Sequence, residues 1–152
     1  MSWLILPWPR GRQRDRVATV DLVSRHRSLA TKWEHLVAAS YGLEVFDQLI
    51  VGQEPDRQLF KLLVEFLDAL NVTESRQSSQ LILDYFILHL LILLGYAPTA
   101  VSSLAQEVVL KTPLIKAARQ EMPLKIKRSI SSTLNEHLVS PLKVESSLAG
   151  LR

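Results

Sequence analysis

His89 follows Asp84 by five residues inside an otherwise apolar run, where an acid and an imidazole could serve as an acid–base pair if they met. Five residues turn a helix by about 140°, so the two side chains diverge and do not meet at one substrate atom. A satisfied place in the core or at a bundle edge suits both, because a buried carboxyl or imidazole needs hydrogen-bond partners. His26, His35 and His137 are scattered, and no H-x-x-x-H pair is present. The chain has no cysteine, which removes disulfides, thiolate metal sites and cysteine nucleophiles together and fits a reducing compartment. No G-x-S-x-G turn, H-E-x-x-H helix or phosphate-cradling glycine loop appears. These residues predict no enzyme, no metal and no cofactor, and a function exercised by binding.

The charges give that binding a direction. Residues 1–33 hold seven Lys/Arg against Asp15 and Asp21, residues 34–107 hold ten acids against three bases, and residues 108–152 return to eight bases against three acids. Arg10, Arg12, Arg14 and Arg16 alternate, which puts them on one side of an extended chain where they can track phosphates. A solvated tail fits the same spacing. Lys116, Arg119, Lys125, Lys127 and Arg128 form a second cluster, suited to nucleic acid and equally to a solvated rim. Trp3 and Trp8 beside the arginines resemble base-stacking aromatics, although packing back onto the domain is the commoner role for such residues.

Helices must position these groups. The set Leu29, Trp33, Leu36, Val37, Tyr41, Val45, Phe46 and Leu49 recurs at helical spacing, with Ser28 as N-cap and Gly52 as the stop, and Trp33 and Tyr41 are expected in the core. Glu54-Pro55-Asp56 opens a second helix carrying Leu59, Leu62, Leu63, Phe66, Leu67 and Leu70 on one face. Residues 73–79 read as a loop. Leu81 to Leu94 is apolar on nearly every side, which marks the centre of a bundle, and it is shorter than the ~20 residues a membrane span needs. Gly95 and Pro98 end it. A short helix is expected from Val101 to Leu110, a second from Thr112-Pro113 to about Met122, and a last one beginning among Ser129 to Ser132 and ending before Pro141. The expected fold is all-α, a compact helical bundle around the apolar helix at residues 81–94. An irregular or extended basic arm, residues 1–27, precedes the helical domain, residues 28–148.

Three stretches, taken in order, resemble the C-terminal helical domain of the RecO family of bacterial DNA repair and recombination mediators. The first runs from Leu36 through Ala39-Ser40-Tyr41-Gly42-Leu43-Glu44 to Leu49, followed by Glu54-Pro55-Asp56 and Leu59-Phe60-Lys61-Leu62-Leu63. The second is Asp84 to Gly95-Tyr96-Ala97-Pro98, similar to the family's central helix and its L-G-Y-x-P ending. The third is Asn135-Glu136-His137-Leu138 with Pro141-Leu142-Lys143. The resemblance implies a mediator of homologous recombination in the RecF pathway, cytoplasmic and nucleoid-associated. The partners it implies are single- or double-stranded DNA, RecR, and the acidic, Phe-ended tail of single-strand-binding protein, with no membrane.

The chain departs from the family's pattern in two places. RecO proteins begin with an OB barrel, of which at most an exit strand or linker fits within residues 1–27, so a short member or fragment is expected. Many members carry a four-cysteine zinc insert after the G-Y-x-P turn, whereas Thr99 leads here into short helices without cysteine. A helical interaction module that has lost DNA binding with the barrel is the alternative. Membrane attachment through the tryptophan-rich start is opposed by Pro7 and Pro9, which break an amphipathic helix.

Overall fold

The computed structural model describes residues 2–5, 21–50 and 56–144, with the backbone alone for residues 2–5 and 22–25. Strands β1 (Ser2–Ile5) and β2 (Asp21–Arg25) pair antiparallel, Ser2 opposite Arg25 and Ile5 opposite Asp21, with a register shift after Trp3. The two ends of the arm therefore form a short ladder. Arg10, Arg12, Arg14, Arg16 and Trp8 lie outside the described residues, as do Gly52, Glu54, Pro55 and everything after Val144; the Trp3 side chain is likewise undescribed.

The remainder is helical, as the periodicity predicts, with different boundaries. The first helix is broken in two. Helix α1 (Arg27–Thr31) is one turn, and Lys32, in extended conformation, separates it from α2 (Trp33–Leu49). Its expected cap, Ser28, bonds elsewhere: the hydroxyl donates to the Asn71 carbonyl and the N–H to Asn71 Oδ1 at 3.2 Å. Buried His26, one residue before α1, places Nε2 2.6 Å from Asp68 Oδ1. Both ties reach the end of α3 (Arg57–Val72), so a tertiary anchor overrides the helical periodicity at Lys32.

Asp56 is the N-cap of α3, accepting from Gln58 N–H at 2.7 Å and Leu59 N–H at 3.2 Å, so the helix starts after the acid. Helix α4 (Arg76–Leu93) also begins earlier than its apolar stretch, because Ser75 caps it by accepting from Ser78 N–H at 3.1 Å. Its stop is as expected. Gly95 adopts φ +82°, Gly95 N–H bonds the Ile92 carbonyl at 3.1 Å, and Tyr96 N–H bonds the Leu91 carbonyl at 2.8 Å. These are the paired bonds of a Schellman ending, which needs a residue at ease with positive φ.

Helix α4 touches α2 and α3, and also α5 (Ser103–Lys111), α6 (Leu114–Ala117) and α7 (Leu124–His137). It is buried from Leu81 to Leu83 and from Phe86 to Leu91, which places it at the centre. On α2 the buried residues His35, Ala38, Ala39, Gly42, Val45 and Leu49 form one stripe of mainly small side chains that lets the neighbouring helices approach. A Cβ on Gly42 would stand 2.5 and 2.6 Å from two ring carbons of Phe66, whose ring stacks on Phe86 with centroids 4.0 Å apart.

Two short elements differ from expectation. Thr112 caps the C-terminus of α5, and α6 is a single turn whose first N–H, that of Leu114, donates to Glu65 Oε1 at 2.7 Å. Pro123 starts α7 rather than ending an element, so α7 begins several residues before Ser129 and takes in Lys125, Lys127 and Arg128.

The segment after α7 is strapped onto α2. Glu44 Oε1 accepts from Lys143 N–H at 2.6 Å, Glu44 Oε2 from Val144 N–H at 3.1 Å, and Gln48 Oε1 from Ser140 N–H at 3.2 Å, while Leu142 is buried. Tyr96 stacks on His137 with ring centroids 3.9 Å apart. Glu44→Ala should lower stability by about 1–3 kcal/mol, the usual value of hydrogen bonds to a charged acceptor, and Glu44→Gln by less. Chemical denaturation reads the loss, and amide exchange at Lys143 and Val144 should quicken specifically.

Candidate partner groove and basic face

One side of α4 carries Arg76, Ser79, Gln80, Leu83, Asp84 and Ile87 at spacings of three and four, a mixed polar and apolar stripe on a helix that is mostly apolar from Leu81 onward. This stripe lines a groove of about 600 Å³ between α2, α4 and α7. Val37, Ala38 and Tyr41 from α2 and Ile130 and Leu134 from α7 complete its apolar lining, and Trp33, Glu34 and Lys127 lie along it. Trp33 is 59% exposed, which corrects its expected place in the core. The break at Lys32 makes it the first residue of α2, beyond the buried stripe that starts at His35. Tyr41 is half-buried and packs against the core.

The groove's charges are arranged unevenly. Lys127 Nζ lies 3.3 Å from Asp84 Oδ2, and Asp84 Oδ1 accepts from Gln80 Nε2 at 2.9 Å. Arg76 and Glu34 hold no ion pair among the described residues. Asp84 is thus satisfied at the bundle edge.

His89 is buried, with Nε2 lacking a partner among the described residues. Burial pushes its pKa down to about 4, opposed by a hydrogen bond to the backbone of Val109. His35 is lowered in the same direction by burial and by the Lys32 charge, with Glu34 opposing. The two imidazoles are neutral packing groups. Among the described residues no three His, Cys, Asp or Glu side chains gather as metal ligands, and the turn after Gly95 offers none of the sulfur donors of a zinc insert.

Of the predicted basic residues, Lys116, Arg119, Lys125 and Arg128 are exposed and hold no ion pair among the described residues. Lys125 and Arg128 sit three apart on one face of α7, while Lys116 lies on α6 and Arg119 in the turn just beyond it. Exposed Ile115 and Leu124 lie beside them in sequence. Lys127 leaves this set and faces Asp84 in the groove. Sequence reasoning misses Arg76 as a groove residue, although the polar interruptions at Arg76, Gln80 and Asp84 are the signal that finds it.

A family model described as "Recombination protein O C terminal" matches residues 30–112, from the end of α1 through α5. The chain belongs to that family. Its relatives include a protein named DNA repair protein RecO from Trichodesmium erythraeum (strain IMS101), 32% identical over 95 residues, covering 59% of this chain and 33% of the relative. A protein of the same name from Synechococcus sp. (strain JA-3-3Ab) is 31% identical over 84 residues, covering 55% of this chain and 28% of the relative. Another, from Synechococcus sp. (strain JA-2-3B'a(2-13)), is 31% identical over 83 residues, covering 55% and 29%. The match spans about a third of the length of these curated RecO proteins. No solved structure is similar at a comparable level. The RecO match includes two walls of the groove, α2 and α4, and ends before the third wall, α7. No helix among the described residues is long and apolar enough to cross a membrane.

Proposed function

We propose that this RecO-family chain serves DNA repair and homologous recombination by binding rather than catalysis, holding DNA on its basic face and a repair protein in its groove. The observation that carries the first half is the set of four exposed cations, Lys116, Arg119, Lys125 and Arg128, left without carboxylate partners among the described residues. Unpaired surface cations release counterions from a phosphate backbone when they bind it. The groove supports the second half. It combines an apolar lining with two cations, Arg76 and Lys127, and two carboxylates, Glu34 and Asp84; Arg76, without an ion pair among the described residues, is the group that suits a peptide anchoring an aromatic side chain and carrying carboxylates, as the tail of single-strand-binding protein does. RecR is the further partner that RecO kinship suggests.

Titration of labelled single-stranded and duplex DNA against salt tests the basic face. Affinity should fall steeply with salt. The Lys125→Glu/Arg128→Glu double variant should weaken binding and lower the slope of log affinity against log salt by about 1.4 on single strands, at roughly 0.7 for each phosphate no longer neutralised. A salt-independent signal, or a double variant indistinguishable from the parent, would remove DNA from the proposal. An intact peptide interaction would then favour an interaction module. For the groove, a labelled aspartate-rich peptide ending in phenylalanine should bind and should be lost with Val37→Glu, which sets a carboxylate in the apolar lining.

A further inference from the structure

The groove's lysine is already in contact with a carboxylate. Asp84 is 19% exposed and Lys127 37%, so water screens their 3.3 Å contact only in part. Gln80 fixes the other oxygen of Asp84 and so holds the carboxylate against Lys127. Arg76, two helical turns before Asp84 on the same side of α4, lines the groove without an ion pair among the described residues.

We propose that Asp84 is a built-in competitor for the anionic partner of this groove. In the free protein it occupies Lys127, and an incoming carboxylate gains that lysine only by displacing Asp84. Arg76 is the cation that meets the partner first. Asp84 then limits affinity and speeds release. This inference rests on the groove reading above and specifies how that site is regulated.

Asparagine at this position keeps the size and the oxygen that accepts from Gln80, and removes the charge. Asp84→Asn should tighten binding of the aspartate-rich, Phe-ended peptide about tenfold, chiefly through slower dissociation. The gain should shrink when Lys127 is already replaced by Gln, because the competitor then guards nothing. In the opposite direction, Ser131→Glu adds a second carboxylate at an exposed groove position one helical turn from Lys127 on α7 and should weaken binding several-fold, so the test does not depend on one variant folding. Fluorescence anisotropy gives the affinities, and thermal midpoints confirm that each variant is folded. Parent-like or weaker binding by folded Asp84→Asn, with the parent itself binding, would show that the ion pair merely fastens α7 to α4 and would overturn the competitor. A gain that persists undiminished in Lys127→Gln would overturn it as well. If neither parent nor Asp84→Asn binds the peptide, the groove reading fails and the competitor falls with it.

Discussion

Phe66→Ala should cost this domain about 3–5 kcal/mol, a large part of the roughly 5–15 kcal/mol that holds a domain of this size together. The ring is fully buried, stacks on Phe86 at 4.0 Å with an interplanar angle of 15°, and lies directly over the backbone of Gly42. Removing it leaves a void that α2, α3 and α4 cannot close without giving up their other contacts. The same geometry fixes the sign of a second substitution. Gly42→Ala gains about 1 kcal/mol of helix propensity, yet it drives a methyl to 2.5 Å from a ring that is wedged against another ring. Overpacking of that kind costs about 1–3 kcal/mol, so the net effect is a loss. With Phe66→Leu in place the obstruction is gone and Gly42→Ala should become stabilising. Urea midpoints of the two singles and the double give the cycle. Equal effects of Gly42→Ala in both backgrounds would contradict the close approach of α2 to the ring.

Acid should weaken the fold through His89. Its folded pKa is lowered from 6.5 to about 4, so between those values the unfolded chain takes up a proton that the folded one refuses. The stability conferred by the neutral buried ring is complete above pH 6.5, declines as the pH falls toward 4, and levels off below that. A shift of this size corresponds to roughly 3 kcal/mol, at about 1.4 kcal/mol for each pH unit. His35, lowered in the same direction, adds to the decline. His89→Gln removes the titrating group, and its denaturation midpoint should vary much less between pH 6.5 and 4 than that of the parent. Parallel acid losses in the two proteins would place the sensitivity elsewhere.

The parts of the fold legible in the sequence are those written locally. The apolar run at Leu81 to Leu94 has nowhere to go except the centre, and Gly95 followed by Pro98 specifies the stop of α4 through backbone geometry alone. The stripe from Leu59 to Leu70 is similarly self-contained. What escaped reading depends on partners distant in the chain. Lys32 carries no breaker signal, and α1 ends there because His26 and Ser28 are tied to Asp68 and Asn71. Pro123 reads from the sequence as the stop of an element ending near Met122, whereas the burial of Ile130 and Leu134 along α7 makes it a start. The pairing of Asp84 with Lys127 crosses 43 positions and divides the second basic cluster between groove and surface, which spacing within that cluster does not reveal.

The strap between Glu44 and the amides of Lys143 and Val144 joins positions 99 and 100 residues apart. A chain emerging from the ribosome therefore presents α2, α3 and α4 well before it can close. Until α7 has been translated, Val37, Leu83 and Ile87 face solvent with one wall missing, and Glu44 has no amides to receive. The groove is consequently complete only once α7 has been made: a chain still lacking that helix presents an apolar half-site of the kind that chaperones hold.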